Sequence, residues 1–188
     1  MNDSSLDRVV RIILKDIAVG LTHEFDKNFS RQAFFSKAWA RRKSPIRPGR
    51  AILTDTGGLR RSLRHESTAN SVTFMSDLPY AAIHNEGGRI RVTPRMKRFF
   101  WAKMYEAQGR FNFRRDGSLS QSRKQVQLND EAAFWKALAQ KKVGDEIVIP
   151  ERRFLGNSPE VEKLVRDVIR NALQEFFGNE FLKGCSKN

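Results

Sequence analysis

The sequence predicts an α+β protein in which long N-terminal and C-terminal helices pack on a small, mainly antiparallel sheet. Three observations lead to this prediction. Both ends of the chain carry apolar residues at helical spacing, short alternating segments lie between them, and a basic stretch poor in apolar residues interrupts the last pair of strands. A helix with one apolar face must cover it against another layer. At 188 residues the chain is predicted to form one domain, residues 1–188, with an insertion at about 94–145.

Both predicted terminal helices have a continuous apolar face. Residues 4–27 repeat apolar side chains every three or four positions, and residues 159–177 do the same. Ser158 is a suitable N-cap for the second helix, Pro159 suits its first turn, and Gly178 is predicted to end it. The apolar positions of the first helix are Leu6, Val9, Val10, Ile13, Ile17, Leu21 and Phe25.

The segment after the first helix is predicted to contain a loop, a hairpin and a short helix. Residues 28–52 change from bulky aromatic to basic and Pro/Gly-rich, which indicates a helix end followed by a loop. Leu59–Ser67 and Val72–Ser76 alternate and are predicted to pair as antiparallel strands. A helix of one or two turns is predicted over residues 79–87.

A second pair of strands is predicted at residues 89–93 and 146–150. About fifty residues separate them, which is far more than a hairpin loop contains. Two short helical patterns fall in that interval, one around Phe100 and one around Trp135. Residues 109–129 between them are rich in Gly, Arg, Ser, Gln and Asn and are predicted to be flexible. The sequence therefore predicts a helical and partly flexible insertion within a β-hairpin.

The formal net charge is +14, and most of it lies in two segments. Residues 31–64 carry ten Lys/Arg against one Asp, and residues 94–146 carry twelve against six acids. Such a field favours an anionic partner, either nucleic acid or an acidic protein surface, although a basic balance also keeps many small proteins soluble. The predicted partner-facing or DNA-facing residues are Arg41, Arg42, Lys43, Arg47, Arg50, Arg114, Arg115, Arg123 and Lys124.

The sequence lacks the patterns of most catalytic and cofactor sites. Its single cysteine, Cys185, excludes a disulfide within the chain and a Cys-based zinc site. Gly57-Gly58 and Gly87-Gly88 fit no nucleotide-binding motif and are predicted to be turns. His84 and Glu86 form a cluster with acid–base potential, but no nucleophile or metal-ligand spacing accompanies them. We therefore predict no enzyme activity, no cofactor and no metal site.

The chain is predicted to be soluble and made in the cytoplasm. No apolar run approaches the roughly 18–20 residues that a membrane span needs, and the N-terminus lacks the apolar core of a secretion signal. No membrane partner is therefore expected.

Three stretches, Leu53–Leu63, Pro79–Gly88 and Ile149–Ser158, resemble the phage virion morphogenesis family in their order and rough spacing. The family pattern reads roughly L-x-x-T-G-x-L-x-x-S, then Y-A-x-x-H-x-x-G, then R-x-F-L-G-x-S. The resemblance covers roughly residues 30–177, with an apparent insertion between the second and third motifs. The matching motif and structural residues are Thr56, Gly57, Leu59, Ser62, Tyr80, His84, Gly87, Arg153, Phe154, Leu155 and Gly156.

Two structural roles are predicted within these motifs. Phe154 and Leu155 are expected to plug the core at a corner between the last strand and the C-terminal helix. His84 is expected to lie partly buried, with a ring nitrogen bonded to a backbone carbonyl of the neighbouring turn. The family often has Pro before the Phe of the third motif, and this chain has Arg153 there, which changes the rigidity of the corner.

The resemblance implies a structural virion assembly protein that works in tail completion or head–tail joining. It implies a ring of identical subunits that contacts other phage tail or connector proteins, in the virion and in the host bacterial cytoplasm during assembly. A non-specific DNA contact is compatible with the charge. The alternative is a non-catalytic DNA-binding module that acts through its basic charge alone, without a known DNA-binding motif.

Overall fold

A computed structural model describes residues 5–185, with side chains described for residues 5–178. The chain divides into two compact units. The first unit comprises residues 1–39, 53–85 and 152–188, and the second unit comprises residues 40–52 and 86–151. In chain order the elements are α1 (Ser5–Arg31), β1 (Ala33–Phe34), β2 (Lys37–Ala38), α2 (Gly58–Arg61), β3 (Leu63–Ser67), β4 (Val72–Ser76), α3 (Ala81–Glu86), β5 (Gly88–Arg91), α4 (Pro94–Gln108), α5 (Arg123–Gln140), β6 (Glu146–Ile149) and α6 (Pro159–Cys185).

The core of the first unit lies where α1, α6 and the β3–β4 hairpin meet. Ile17, Leu21 and Phe25 are buried on α1 and cluster with Val161 of α6. Phe74 of β4 packs against the same cluster, with its ring centroid 5.1 Å from that of Phe25. The apolar faces predicted for the two terminal helices thus share one core, as an amphipathic pattern requires.

Both terminal helices are longer than predicted. The helix α1 continues to Arg31, one turn beyond the predicted end at residue 27. The helix α6 continues through Gly178 to Cys185, so the predicted end at Gly178 is wrong. A single glycine costs a helix about 1 kcal/mol relative to alanine, which does not end a helix of 27 residues. The side chain of Cys185 lies outside the described residues.

The strand predicted over Leu59–Ser67 is wrong for its first part, which forms the helical turn α2. Gly57 has a φ of 72°, and its carbonyl accepts a hydrogen bond from the Arg61 N–H at 3.0 Å. Leu59 is buried on this turn. A short alternating run is compatible with one helical turn, and the left-handed glycine decides between the two. After this turn, β3 pairs with β4 in antiparallel register as predicted.

The α+β class with long terminal helices is confirmed. Among the described residues the strands form three separate two-stranded antiparallel sheets, β1–β2, β3–β4 and β5–β6, rather than one continuous sheet. No local pattern predicted the β1–β2 turn, because the turn falls in an aromatic stretch. The turn places the non-glycine residue Phe35 at a φ of 51°. The single domain spanning residues 1–188 stays a prediction.

The second unit confirms the predicted helical insertion in a β-hairpin. β5 pairs with β6 in a register that runs from Gly88 opposite Ile149 to Arg91 opposite Glu146. Between these strands α4 and α5 pack together through Met104, Ala107 and Ala132. Each helix begins with a side-chain cap, because the hydroxyls of Thr93 and Ser122 accept N–H bonds from Met96 at 3.2 Å and Gln125 at 3.3 Å.

The segment between α4 and α5 is shorter than the flexible stretch predicted over residues 109–129. The helix α5 already begins at Arg123, so the prediction is wrong for residues 123–129. Gln125 is fully buried there, and its Oε1 accepts the Asn112 N–H at 2.6 Å. Phe113 and Leu119 form an isolated β-bridge within the connecting loop. The buried Gln125 therefore ties the start of this loop to α5.

Candidate functional site

The third motif forms a tightly bonded corner at the entrance to α6. Phe154 is 1% exposed, and its ring centroid lies 5.4 Å from that of Phe29 on α1. The side-chain oxygen of Asn85 accepts the backbone N–H groups of both Phe154 at 2.9 Å and Leu155 at 3.0 Å. One side chain from the second motif thereby satisfies two backbone donors of the third, which would otherwise be costly to bury.

Two more side chains of the first unit donate hydrogen bonds to backbone carbonyls of this corner. The buried Asn28 on α1 donates from Nδ2 to the Phe154 carbonyl at 3.3 Å and accepts the Phe35 N–H at 3.0 Å. The indole Nε1 of Trp39 donates to the Arg153 carbonyl at 2.6 Å. The Arg153 guanidinium itself lies over the Phe34 ring, 5.8 Å from its centroid. The corner is therefore held by polar bonds to elements distant in sequence.

His84 meets the corner through its backbone. Its carbonyl accepts the Arg152 N–H at 2.8 Å. The ring is partly buried as predicted, but its buried Nδ1 has no hydrogen-bond partner among the described residues, so the predicted ring-to-carbonyl bond is wrong for that nitrogen. Burial, with a smaller contribution from the nearby Arg152 charge, lowers the pKa of His84 below its ordinary value. The Tyr80 ring stands edge-on to it at 6.0 Å.

The first motif adjoins the second at α2. A Cβ on Gly58 would lie 3.8 Å from the Tyr80 hydroxyl, so these two motifs pack closely. Ser62 shares a hydrogen bond with Ser76 at 2.7 Å, which ties the turn to β4. Arg60 makes a two-pronged ion pair with Asp26 of α1, and this pairing lowers the pKa of Asp26. The parts of the three motifs that belong to the first unit thus form a chain of contacts.

An apolar groove lies beside the corner. Its volume is about 670 Å³, within the range of binding pockets. The floor comes from α1 and α6, and the rim from β4 and the loop after the corner. Exposed polar residues on the rim are Asn70, Ser71, Thr73 and Asn157.

Comparison with known proteins assigns the chain that carries these motifs to a family. The model of the phage virion morphogenesis family matches residues 5–174. The chain belongs to the phage virion morphogenesis family. Neither the curated proteins nor the solved structures returned a match to the chain. Family membership means a role in building the phage virion, and the motif residues at the corner are the ones that the resemblance singled out.

The nine basic residues predicted to face a partner all lie in the second unit. Arg41, Arg42, Lys43, Arg47 and Arg50 belong to its segment 40–52, and Arg114, Arg115, Arg123 and Lys124 to its segment 86–151. Two stretches far apart in sequence are therefore brought into one compact body. Their role as a partner surface stays a prediction.

Gly87 of the second motif occupies a position that requires glycine. Its φ is 73°, and a Cβ would lie 2.7 Å from the backbone nitrogen of Glu151. It ends α3 as predicted and lets β5 begin beside β6.

Sequence reasoning missed the polar residues that hold the corner together. Asn28 falls on the apolar period of α1, three residues after Phe25, and a lone amide on an apolar face was the available signal. Asn85 stands at a variable position of the family pattern, between His84 and Glu86, and carried no signal of its own. The predicted N-cap is confirmed, because the Ser158 hydroxyl accepts the Val161 N–H at 3.3 Å.

No group of metal-binding side chains is arranged to hold an ion within the part of the chain that the structure describes. Among the same residues, no helix combines the length and apolarity needed to cross a membrane. The family is one of structural virion morphogenesis proteins.

Proposed function

We propose that this protein completes the phage tail or joins head to tail, and that it acts as one subunit of a ring. The observation that supports this proposal is the family match together with the convergence of its motifs on one corner beside an open apolar groove. Its place of action is the host bacterial cytoplasm during assembly, and its destination is the virion. The other components of the contact are phage tail or connector proteins.

Self-association is supported by two unlike apolar surfaces in the first unit. The groove is one, and Phe177 on α6 is the other, with 61% of its surface exposed. Val165 of the same helix lines the groove twelve residues earlier, which corresponds to about 18 Å along the helix axis. Because α6 is continuous, Phe177 cannot reach the groove of its own chain.

We infer that Phe177 of one copy enters the groove of the next copy. A contact between two different surfaces repeats from subunit to subunit, and a closing rotation turns the series into a ring. Such a ring would present the second units at regular intervals.

The test of the assembly role is complementation of a phage that lacks this gene. Electron microscopy of lysates without the protein should reveal separate heads and tails or unfinished tails. Expression of the wild-type chain from a plasmid should restore infectious particles. Intact particles in the absence of the protein would contradict the proposal.

The test of the ring contact uses three exposed positions. Thr73→Arg at the groove rim and Phe177→Ser on α6 should each reduce self-association in sedimentation velocity and reduce complementation. Asn171→Arg, an exposed position of α6 outside the groove lining, is the matched control and should do neither. If the control behaved like the other two variants, the groove would not be the contact.

A further inference from the structure

The two units differ sharply in charge. The second unit contains 19 Lys/Arg and 8 Asp/Glu, a net charge of +11, whereas the first contains 16 and 13, a net charge of +3. Nearly all the excess charge therefore lies in the smaller body. A charge of that density creates a field that attracts polyanions.

Within the second unit, four cations lie in or directly after the loop that joins α4 to α5. We call residues 112–124 the arm tip. Arg114 and Arg115 stand in its loop, and Arg123 and Lys124 begin α5 directly after it. All four side chains are exposed, and none forms an ion pair within 4 Å among the described residues.

The arm tip holds these cations on an ordered loop. The Arg114 N–H donates to the Ser118 carbonyl at 2.7 Å, beside the bridge between Phe113 and Leu119. The buried Gln125 then binds the Asn112 N–H. An ordered loop loses less conformational entropy when its arginines bind a partner.

The arm tip contains one acidic residue, and its carboxylate already accepts hydrogen bonds within the loop. Asp116 accepts the Ser118 hydroxyl at 2.7 Å and the Ser118 N–H at 2.9 Å, and these bonds lower its pKa. It therefore serves the turn rather than the neighbouring arginines. The tip keeps a net charge of +3.

Arg123 and Lys124 lie in the first turn of α5, where a positive charge lowers the stability of the helix. Cations in the first turn of a helix interact unfavourably with its dipole, and α5 has no acid there. The terminal helices α1 and α6 begin with the acids Asp7 and Glu160 instead. A local arrangement that lowers helix stability is typical of a surface selected for a partner.

We propose that the arm tip binds the phosphate backbone of duplex DNA. DNA presents a dense, regular line of single negative charges, about one per 1.7 Å of helix axis, so a cluster of exposed cations can bind it without a shaped counter-surface. Three of the four cations are arginines, whose forked guanidinium suits phosphate oxygens. Phe113 and Leu119 are exposed on the arm tip as well, and exposed apolar side chains beside charges also suit a protein partner, so polyglutamate serves as the competing acidic partner in the test.

The experiment measures fluorescence anisotropy of a labelled short DNA duplex with the full-length protein, over salt concentrations of about 50 to 200 mM. The tip variant changes Arg114, Arg115, Arg123 and Lys124 to Gln. The matched control changes four exposed cations of the first unit, Arg8, Lys15, Lys37 and Lys163, to Gln, and so removes the same total charge.

We expect wild-type affinity to fall steeply with salt. The tip variant should bind more than about tenfold more weakly at about 100 mM, with a log–log salt slope reduced by roughly three to four, because each phosphate contact contributes about 0.9. The control variant should stay close to wild type. A variant with Arg114, Arg115 and Arg123 changed to Lys should retain the slope, because it keeps all four positive charges.

Three results would overturn the proposal. They are no DNA binding by the wild type, an equal loss in the tip and control variants, and binding of polyglutamate as tight as binding of DNA. The last result would assign the tip to an acidic protein. The measurement uses purified protein without phage, so its failure would leave the complementation result unchanged, and the reverse also holds.

Discussion

The two units of this protein use polar residues in different ways. In the first unit, buried amides satisfy the backbone of a corner, and Asn28 and Asn85 bond to it from elements far away in the sequence. In the second unit, most of the 19 Lys/Arg are exposed, and one buried amide, Gln125, bonds to the loop between two capped helices. The comparison shows that the family motifs secure a fold, while the charge is placed where it does little for stability.

This difference also separates the proposed roles. The first unit supplies a defined corner and groove for a shaped partner, which suits contact with another protein. The second unit supplies a positive electrostatic field and an ordered arm tip. Both suit a polyanion with evenly spaced charges. Substitutions that target one unit should therefore leave the function of the other in place.

The largest effect on the free energy of unfolding should appear when one phenylalanine in each unit is replaced by alanine and the two losses are compared. Phe154→Ala should lower the free energy of unfolding by about 3–5 kcal/mol, because the ring is fully buried at the corner. Phe113→Ala at the exposed arm tip should change it by less than about 0.5 kcal/mol. Urea denaturation followed by circular dichroism measures both. Similar values for the two variants would contradict the corner as the main source of stability.

The second unit should show a similar contrast between two of its glycines. Gly87→Ala meets the Glu151 backbone at 2.7 Å in addition to a φ of 73°, whereas Gly117→Ala has a φ of 80° and nothing within 4 Å. We expect Gly117→Ala to cost about 1–2 kcal/mol and Gly87→Ala at least about 2 kcal/mol more. Thermal melting of both variants measures the difference. Equal losses would indicate that the backbone around Glu151, just after β6, moves to accept the new methyl group.

The smallest effect should be pH-dependent and belongs to the ion pair between Arg60 and Asp26. Because the pairing lowers the pKa of Asp26 in the folded state, its contribution is present above the ordinary value of 3.8 and is lost as pH falls through the folded pKa. Arg60→Gln should therefore cost up to about 1 kcal/mol at neutral pH and almost nothing in strong acid, since both partners are well exposed.

The control for that ion pair is Arg89→Gln in the second unit. Arg89 binds Glu146 at a more exposed position, so this variant should cost less at neutral pH. Unfolding free energies measured from pH 7 down into strong acid would test the profile. A cost for Arg60→Gln that stayed constant in acid would exclude the Asp26 carboxylate as its source.

Much of this fold followed from local patterns. The two terminal helices, the β3–β4 hairpin and the β5–β6 hairpin with its helical insertion were predicted because periodicity and caps act over a few residues. Two predictions were wrong because they also rested on signals from only a few residues. They are the strand at Leu59 and the helix end at Gly178. In each case a local signal was overruled, by a left-handed glycine in the first and by the length of the helix in the second.

The sequence by itself determined the family, the order of the motifs, the amphipathic helices and the excess of basic residues. The tertiary structure decided that Asn28, Asn85 and Trp39 would meet at one corner, and that nine cations from two separate segments would lie in one unit. The physical reason is distance along the chain. A buried backbone group must find a partner, but the partner can come from any segment that the fold brings near, and no local pattern records which one.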